Sequence, residues 1–239
     1  MTTTKRARET LLACWSGATD PPGRASLGIL VNAIRRDAPS VDVHDVPADK
    51  LQPEESASAS WAEPPVRVAV PLALTDGTDV AEALEIARRD DPAIRVARPL
   101  GPDWTLAEIC VQRLVEAGAR KDDTIVLGVA GSHHEAAIDG YSRAARFLSA
   151  VWGGPVHVGS VGGRDTPLTD AIDIARAYGR RVVVSSYVLT PGRRADMLRH
   201  GGADLVTAPL LDGGPPDQRL VSLVLARFHQ ALGVGVATP

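Results

Sequence analysis

One pattern of short apolar runs and amphipathic runs is spelled twice in this chain, and that duplication limits its possible folds more than any other feature. Leu12 matches Val126, Gly17 matches Gly131, Val43 matches His157 and Val70 matches Val184, each pair 114 positions apart. Gly77 and Gly192 follow at 115, and Pro99-Leu100 and Pro209-Leu210 at 110. A repeat of this length is a domain-sized unit. The expected division is residues 1–118 and 119–239.

Within each copy, strand-like runs alternate with helix-like ones. Leu11–Trp15, Val66–Leu74, Thr124–Val129 and Arg181–Leu189 are the strongest strands, joined by shorter runs at Val41–Val46, Ile94–Arg98, Val156–Gly159 and Leu205–Pro209. Helical spacing predicts helices near Arg24–Arg36, Asp79–Arg89, Thr105–Ala117, Asp139–Trp152, Pro167–Tyr178, Arg193–His200 and Pro216–Leu232. Strands separated by helices imply parallel sheets, so the fold class is α/β: two similar Rossmann-like lobes facing across a cleft. The segment Leu51–Pro65, rich in Glu, Ser, Ala and Pro, reads as a loose surface stretch.

Ligands of parallel α/β sheets bind beyond the carboxyl ends of the strands. The loops that matter are therefore Trp15–Pro22, Thr75–Val80, Ala130–Glu135, Ser160–Pro167 and Leu189–Arg194. A net charge of −3 gives no global basic field for nucleic acid or an anionic membrane. No apolar stretch approaches the ~18 residues of a membrane span, and the first residues lack the apolar core of a secretion signal. Two isolated cysteines fit a reducing, cytoplasmic setting. There is no GxGxxG after a strand, no Walker loop and no nucleophile elbow around Ser185-Ser186.

Some loop residues carry chemistry. His133-His134-Glu135 could bind a metal or accept protons, or could form a solvated helix start where Glu135 favours the dipole. Arg193 and Arg194, with Arg164, suit carboxylates through their planar forks, or form an exposed basic helix start. Tyr187, Trp15 and Trp104 could stack on a flat ligand or pack in the core. His44, His157, His200 and His229 fit packing or helix-end roles better than ligation.

Leu11-Leu12-Ala13-Cys14-Trp15-Ser16-Gly17-Ala18-Thr19-Asp20-Pro21 resembles the first strand and turn of the sirohydrochlorin chelatases of the SirB type, in the class II tetrapyrrole chelatase superfamily. Val70-Pro71-Leu72-Ala73-Leu74-Thr75-Asp76-Gly77-Thr78-Asp79-Val80 is similar to that family's strand and Gly-x-His-Val turn, and Arg98-Pro99-Leu100-Gly101-Pro102 to its P-L-G segment. The resemblance implies two chelatase-type lobes and a tetrapyrrole-like ligand. It implies no organic cofactor, and a divalent metal, Co2+ or Fe2+, as co-substrate; the chain would act as monomer or homodimer.

The family's two metal-binding histidines fall on Ser16 and Asp79, its acidic residue after the second strand on Pro47, and its first-turn arginine on Thr19. Serine is a poor ligand for these ions, and one carboxylate alone binds them weakly. If metal is inserted, His133, His134 and Glu135 are the expected replacement ligands or bases, with Asp79 facing them. Asp79 could instead serve as a base with Ser16 on another substrate, or merely cap a helix. Three functions follow: a chelatase with an altered metal site, an inactive tetrapyrrole- or metal-binding pseudoenzyme, and a fold repurposed for other small-molecule chemistry.

Overall fold

The computed structural model describes residues 9–17, 20–50, 66–178 and 181–233. Thr19 and the whole of Leu51–Pro65 lie outside them. The first half runs β1 (Thr10–Trp15), α1 (Pro21–Asp37), β2 (Asp42–Pro47), β3 (Arg67–Pro71), α2 (Asp79–Asp90), β4 (Ile94–Val96) and α3 (Trp104–Glu116). The second runs β5 (Thr124–Val129), α4 (Glu135–Trp152), β6 (Val156–Ser160), α5 (Leu168–Arg176), β7 (Val182–Tyr187), α6 (Arg193–Arg199), β8 (Leu205–Val206) and α7 (Gln218–Leu232).

Each half forms a four-stranded parallel sheet, in the orders β2-β1-β3-β4 and β6-β5-β7-β8. The duplication expected from sequence is therefore real in topology. The ladders correct its register: Leu12 pairs with His44 and Ala69, and Val126 with His157 and Val184. Equivalent residues are thus His44 and His157, and Ala69 and Val184, not Val43 and Val70 as a uniform offset gives. The strands are shared, while the loops between them differ in length by a residue or two, where chain length is least constrained.

The central strands β5 and β7 are buried along their whole length, as parallel strands covered on both faces must be. Side chains alternate between two cores. Leu11, Ala13 and Trp15 enter the large central cluster, with Ile125, Leu127 and Val129 of the second sheet. Leu12 and Cys14 point the other way, toward Val80 and Leu84 of α2. Val126 likewise joins Leu168 and Ile172 on the outer face of the second sheet.

Local chemistry sets the helix starts. The Asp20 carboxylate accepts from the Gly23 amide at 2.8 Å, with Pro21 and Pro22 at the first helical positions of α1. Asp103 and Asp217 cap α3 and α7 in the same way. α4 begins at Glu135 rather than Asp139, because Glu135-Ala136-Ala137-Ile138 contains nothing to oppose a helix.

The last helix of each half is exchanged. α3 packs on α4 and β7, and α7 packs on β3, β4 and α1. Arg95 of β4 donates to the Ala231 and Leu232 carbonyls of α7. Arg113 of α3 donates to the Asp212 carboxylate, beyond β8, at 2.8 Å. The exchange stitches the lobes into one central core. Among the described residues no helix is long and apolar enough to cross a membrane.

Candidate cleft site

The carboxyl ends of β1, β3, β5 and β7 converge on a cavity of about 330 Å3 between the lobes. Its inner wall is apolar, with Leu27, Leu72, Val80 and Val188 among its residues, and its mouth is polar. Of the residues singled out from sequence, Ser16, Asp79, Tyr187, Arg193 and Arg194 line it. Ser16, Asp79, Arg193 and Arg194 are exposed, so they form the mouth rather than the floor. Neither Arg193 nor Arg194 forms an ion pair with a described residue.

Asp79 sits at the first turn of α2 but does not cap it. Thr78 does: its hydroxyl accepts from the Ala81 amide at 3.4 Å. The Asp79 carboxylate favours the helix dipole and stays at the cavity mouth. Ser16 follows β1 directly, on the facing side of the same lobe's loop cluster.

The four other site candidates do not line the cavity, although His134 packs beside Gly77 at its edge. His133, His134 and Glu135 are exposed and are not part of the cavity wall. His134 is the residue before α4, with no side-chain capping bond, and its amide is held by the Ser132 hydroxyl at 3.1 Å. Arg164 donates to the His133 carbonyl at 2.9 Å, tying the β6–α5 loop to the β5–α4 loop instead of facing the cleft. Among the described residues, no three His, Cys, Asp or Glu side chains converge to hold a metal ion. His133, His134 and Asp79 thus do not form the joint donor set that a replacement metal site requires.

The remaining histidines and Trp104 have structural settings. His157 stacks on Tyr178 with ring centroids 5.7 Å apart, His44 meets Asp42 at 3.0 Å, and the His200 ring bonds the Asp196 carbonyl at 2.7 Å. His229 meets Phe228 edge-on. Trp104 lies outside the cavity, 48% exposed, edge-on to Phe147.

Trp15 and Tyr187 do line the cavity, and Tyr141 joins them. The indole N–H of Trp15 donates to Asp45, fixing the ring. The Tyr187 hydroxyl donates to the Leu74 carbonyl of the other lobe at 3.1 Å. Burial, with the Asp165 carboxylate adding to it, pushes the Tyr141 phenol above its ordinary value, so it remains a hydrogen-bond donor at neutral pH. Tyr141 is the residue that reading by motif missed. The repeat holds the signal, since Tyr141 stands 114 positions after Leu27, and Leu27 lines the cavity from the first lobe.

Fold and cleft together define a class: a two-lobed α/β protein whose parallel sheets point their carboxyl ends into a shared ligand cleft. No protein-family model matches the chain, and no curated protein matches it in sequence. Among solved structures, SirB from Bacillus subtilis with Fe3+ is similar over 94% of this chain and 96% of its own, with a TM-score of 0.67 and 12% identity. A multi-domain protein from Deinococcus radiodurans, with structural similarity to chelatases and two additional domains, is similar over 93% of this chain, with a TM-score of 0.60 and 16% identity. This chain spans 55% of that longer one. These likenesses establish the chelatase-type fold.

Proposed function

We propose that this protein binds a tetrapyrrole or similar polycarboxylate in its interlobe cleft and does not insert metal by the family's two-imidazole chemistry. One observation carries the reading. The positions where the resemblance expects the metal-binding histidines, Ser16 and Asp79, both line the cavity, and neither supplies an imidazole. Arg193 and Arg194 at the same mouth suit the ligand's carboxylates as bidentate partners, since neither is ion-paired to a described residue. Ser16 can donate to or accept from the ligand, and Asp79 can accept from a pyrrole N–H or take its proton. Tyr141 offers a second donor deeper in the cavity.

Divalent metal is a co-substrate of the resembled family. The residues here do not fit it: a hydroxyl and one carboxylate make a weak site for cobalt or iron(II), and among the described residues no three His, Cys, Asp or Glu side chains converge to hold an ion. The reading is therefore a ligand-binding relative of the chelatases.

An absorbance titration with sirohydrochlorin, with and without Co2+ or Fe2+, tests it. Saturable binding with no metal-dependent spectral conversion is expected. Conversion at ordinary chelatase rates overturns the reading in favour of an active chelatase. Absence of binding overturns it in favour of a fold turned to a different substrate.

A further inference from the structure

The enclosed part of the cavity is too small to take a whole macrocycle. Its volume, about 330 Å3, falls at the small end of the roughly 300–1,000 Å3 range of sites that enclose a drug-sized molecule. An octacarboxylate macrocycle is well beyond that size. Contacts between the lobes flank the cleft. On one side the Asp20 carboxylate lies directly against Gly192. On the other, a side chain on Gly77 would come within 3.2 Å of His134 and 3.3 Å of Ala136. At the back, the Tyr187 hydroxyl is bonded to the Leu74 carbonyl. Among the described lining residues, Ser16, Gly17, Asp79, Arg193 and Arg194 are exposed and mark the mouth.

The lining says what enters. The chain has only nine aromatic residues of the Trp, Tyr and Phe types, and three of them, Trp15, Tyr141 and Tyr187, line this one cavity. Aromatic walls favour a flat ring. The two arginines adjoin in sequence and share the mouth, so they suit two acids carried side by side.

We infer that the cleft grips its ligand by one edge, a single pyrrole-sized ring bearing two neighbouring carboxylates, and leaves the rest of any macrocycle in solvent. This rests on the reading of the cleft given under Proposed function and adds the ligand's minimal recognised unit. Binding energy then comes from one ring and its acids, so a fragment carrying only that unit competes for the site. The two arginines make the same contacts with fragment and macrocycle, and their removal weakens both by the same factor.

The test uses porphobilinogen, a monopyrrole with one acetate and one propionate, against sirohydrochlorin. Calorimetry and displacement are read on the wild type, on Arg193→Ala/Arg194→Ala and on Tyr141→Phe. The expected result is that porphobilinogen binds and displaces sirohydrochlorin, and that the double variant weakens both ligands by a common factor of about tenfold or more. Both arginines are exposed, and a thermal melt of the double variant verifies its fold. Sirohydrochlorin binding that millimolar porphobilinogen does not displace overturns the edge-on inference and leaves the reading of the cleft intact. So does a far larger loss for the macrocycle than for the fragment. Failure of both ligands to bind overturns both.

Discussion

The Asp20 carboxylate rests against the α-carbon of Gly192, and the same contact is made a second time by the repeat mates of these two residues. Asp20 precedes α1 as His134 precedes α4, 114 positions on, and Gly77 stands to Gly192 at 115. Each lobe therefore presses the residue before its first helix onto the glycine after the other lobe's third strand. The pair differs in tightness. Gly192 has φ +130° and ψ −171°, a region only glycine occupies readily, and a methyl group there would overlap the Asp20 carboxylate. Gly77 has φ +65° and its neighbours stand at 3.2 Å. Gly192→Ala is expected to cost about 3 kcal/mol, and Gly77→Ala about 1–2 kcal/mol. Thermal melts of the two variants check the order, and equal losses would contradict it.

Arg227 reaches from α7 to the loop before α3, donating to the Pro99 and Leu100 carbonyls at 2.9 and 3.1 Å and to the Asp103 carboxylate at 2.7 Å. The side chain is buried, and its charge is tolerated because Nε and Nη2 are bonded to two carbonyls and a carboxylate. Arg227→Met removes the cation but leaves two carbonyls and a carboxylate behind. The expected loss is about 3 kcal/mol, or roughly 6–12 °C in Tm for a chain of this size. The same pair confers acid sensitivity. Burial raises the Asp103 carboxyl, but the Thr105 amide and Arg227 outweigh it, and the net direction is below the ordinary value. Stability from this group is present above the unfolded carboxyl range and is lost as pH falls through the folded value. Arg227→Met should show a smaller fall in Tm between pH 6 and 3 than the wild type does.

Both cysteines are sealed. Burial pushes the Cys14 thiol up to about 12, with the Asp45 carboxylate adding to the rise, and burial likewise pushes the Cys110 thiol up to about 12. Neither forms a thiolate near neutrality, so neither should react with a disulfide reagent at pH 8 until the chain unfolds. The sign for stability follows. The thiols stay protonated in the folded chain, so this contribution is complete below the unfolded thiol value. It is lost as pH rises toward the folded value. Thiol titration in native buffer and in denaturant checks the first point. Rapid labelling of either cysteine in the native protein would contradict it.

The sheets were legible in sequence because parallel strands covered on both faces spell themselves as unbroken apolar runs, as Thr124–Val129 and Val182–Tyr187 do. The repeat was legible because β1 and β5 keep one offset. It blurred where loops changed length, which moved the true mates from Val43 to His44 and from Val70 to Ala69. The exchange of α3 and α7 left no local trace, since an amphipathic helix records that it has an apolar face but not which sheet receives it. The cavity was half legible. Ser16, Asp79, Arg193, Arg194 and Tyr187 follow strands, where α/β ligand sites lie, whereas Tyr141 sits at an ordinary core position of α4. The His133-His134-Glu135 run drew attention by its chemistry, yet its residues are exposed and stand outside the cavity wall, with His134 packed beside Gly77.

Restoring the missing imidazoles tests the equivalence on which the functional reading stands. Ser16 and Asp79 lie on two loops of the same lobe and line one cavity. Imidazole is a good ligand for cobalt, nickel and iron(II), where a serine hydroxyl is not. Ser16→His/Asp79→His should therefore bind Co2+ about tenfold or more tighter than the wild type, with each single variant in between. Calorimetry reports the affinity, and the visible absorption of Co2+ reports nitrogen ligation. Both substituted positions are exposed, so the variant should keep the wild-type Tm. If the folded double variant binds Co2+ no better than the wild type, the two positions do not look at one point in space. The assignment of Ser16 and Asp79 to the family's metal-binding places then falls with them.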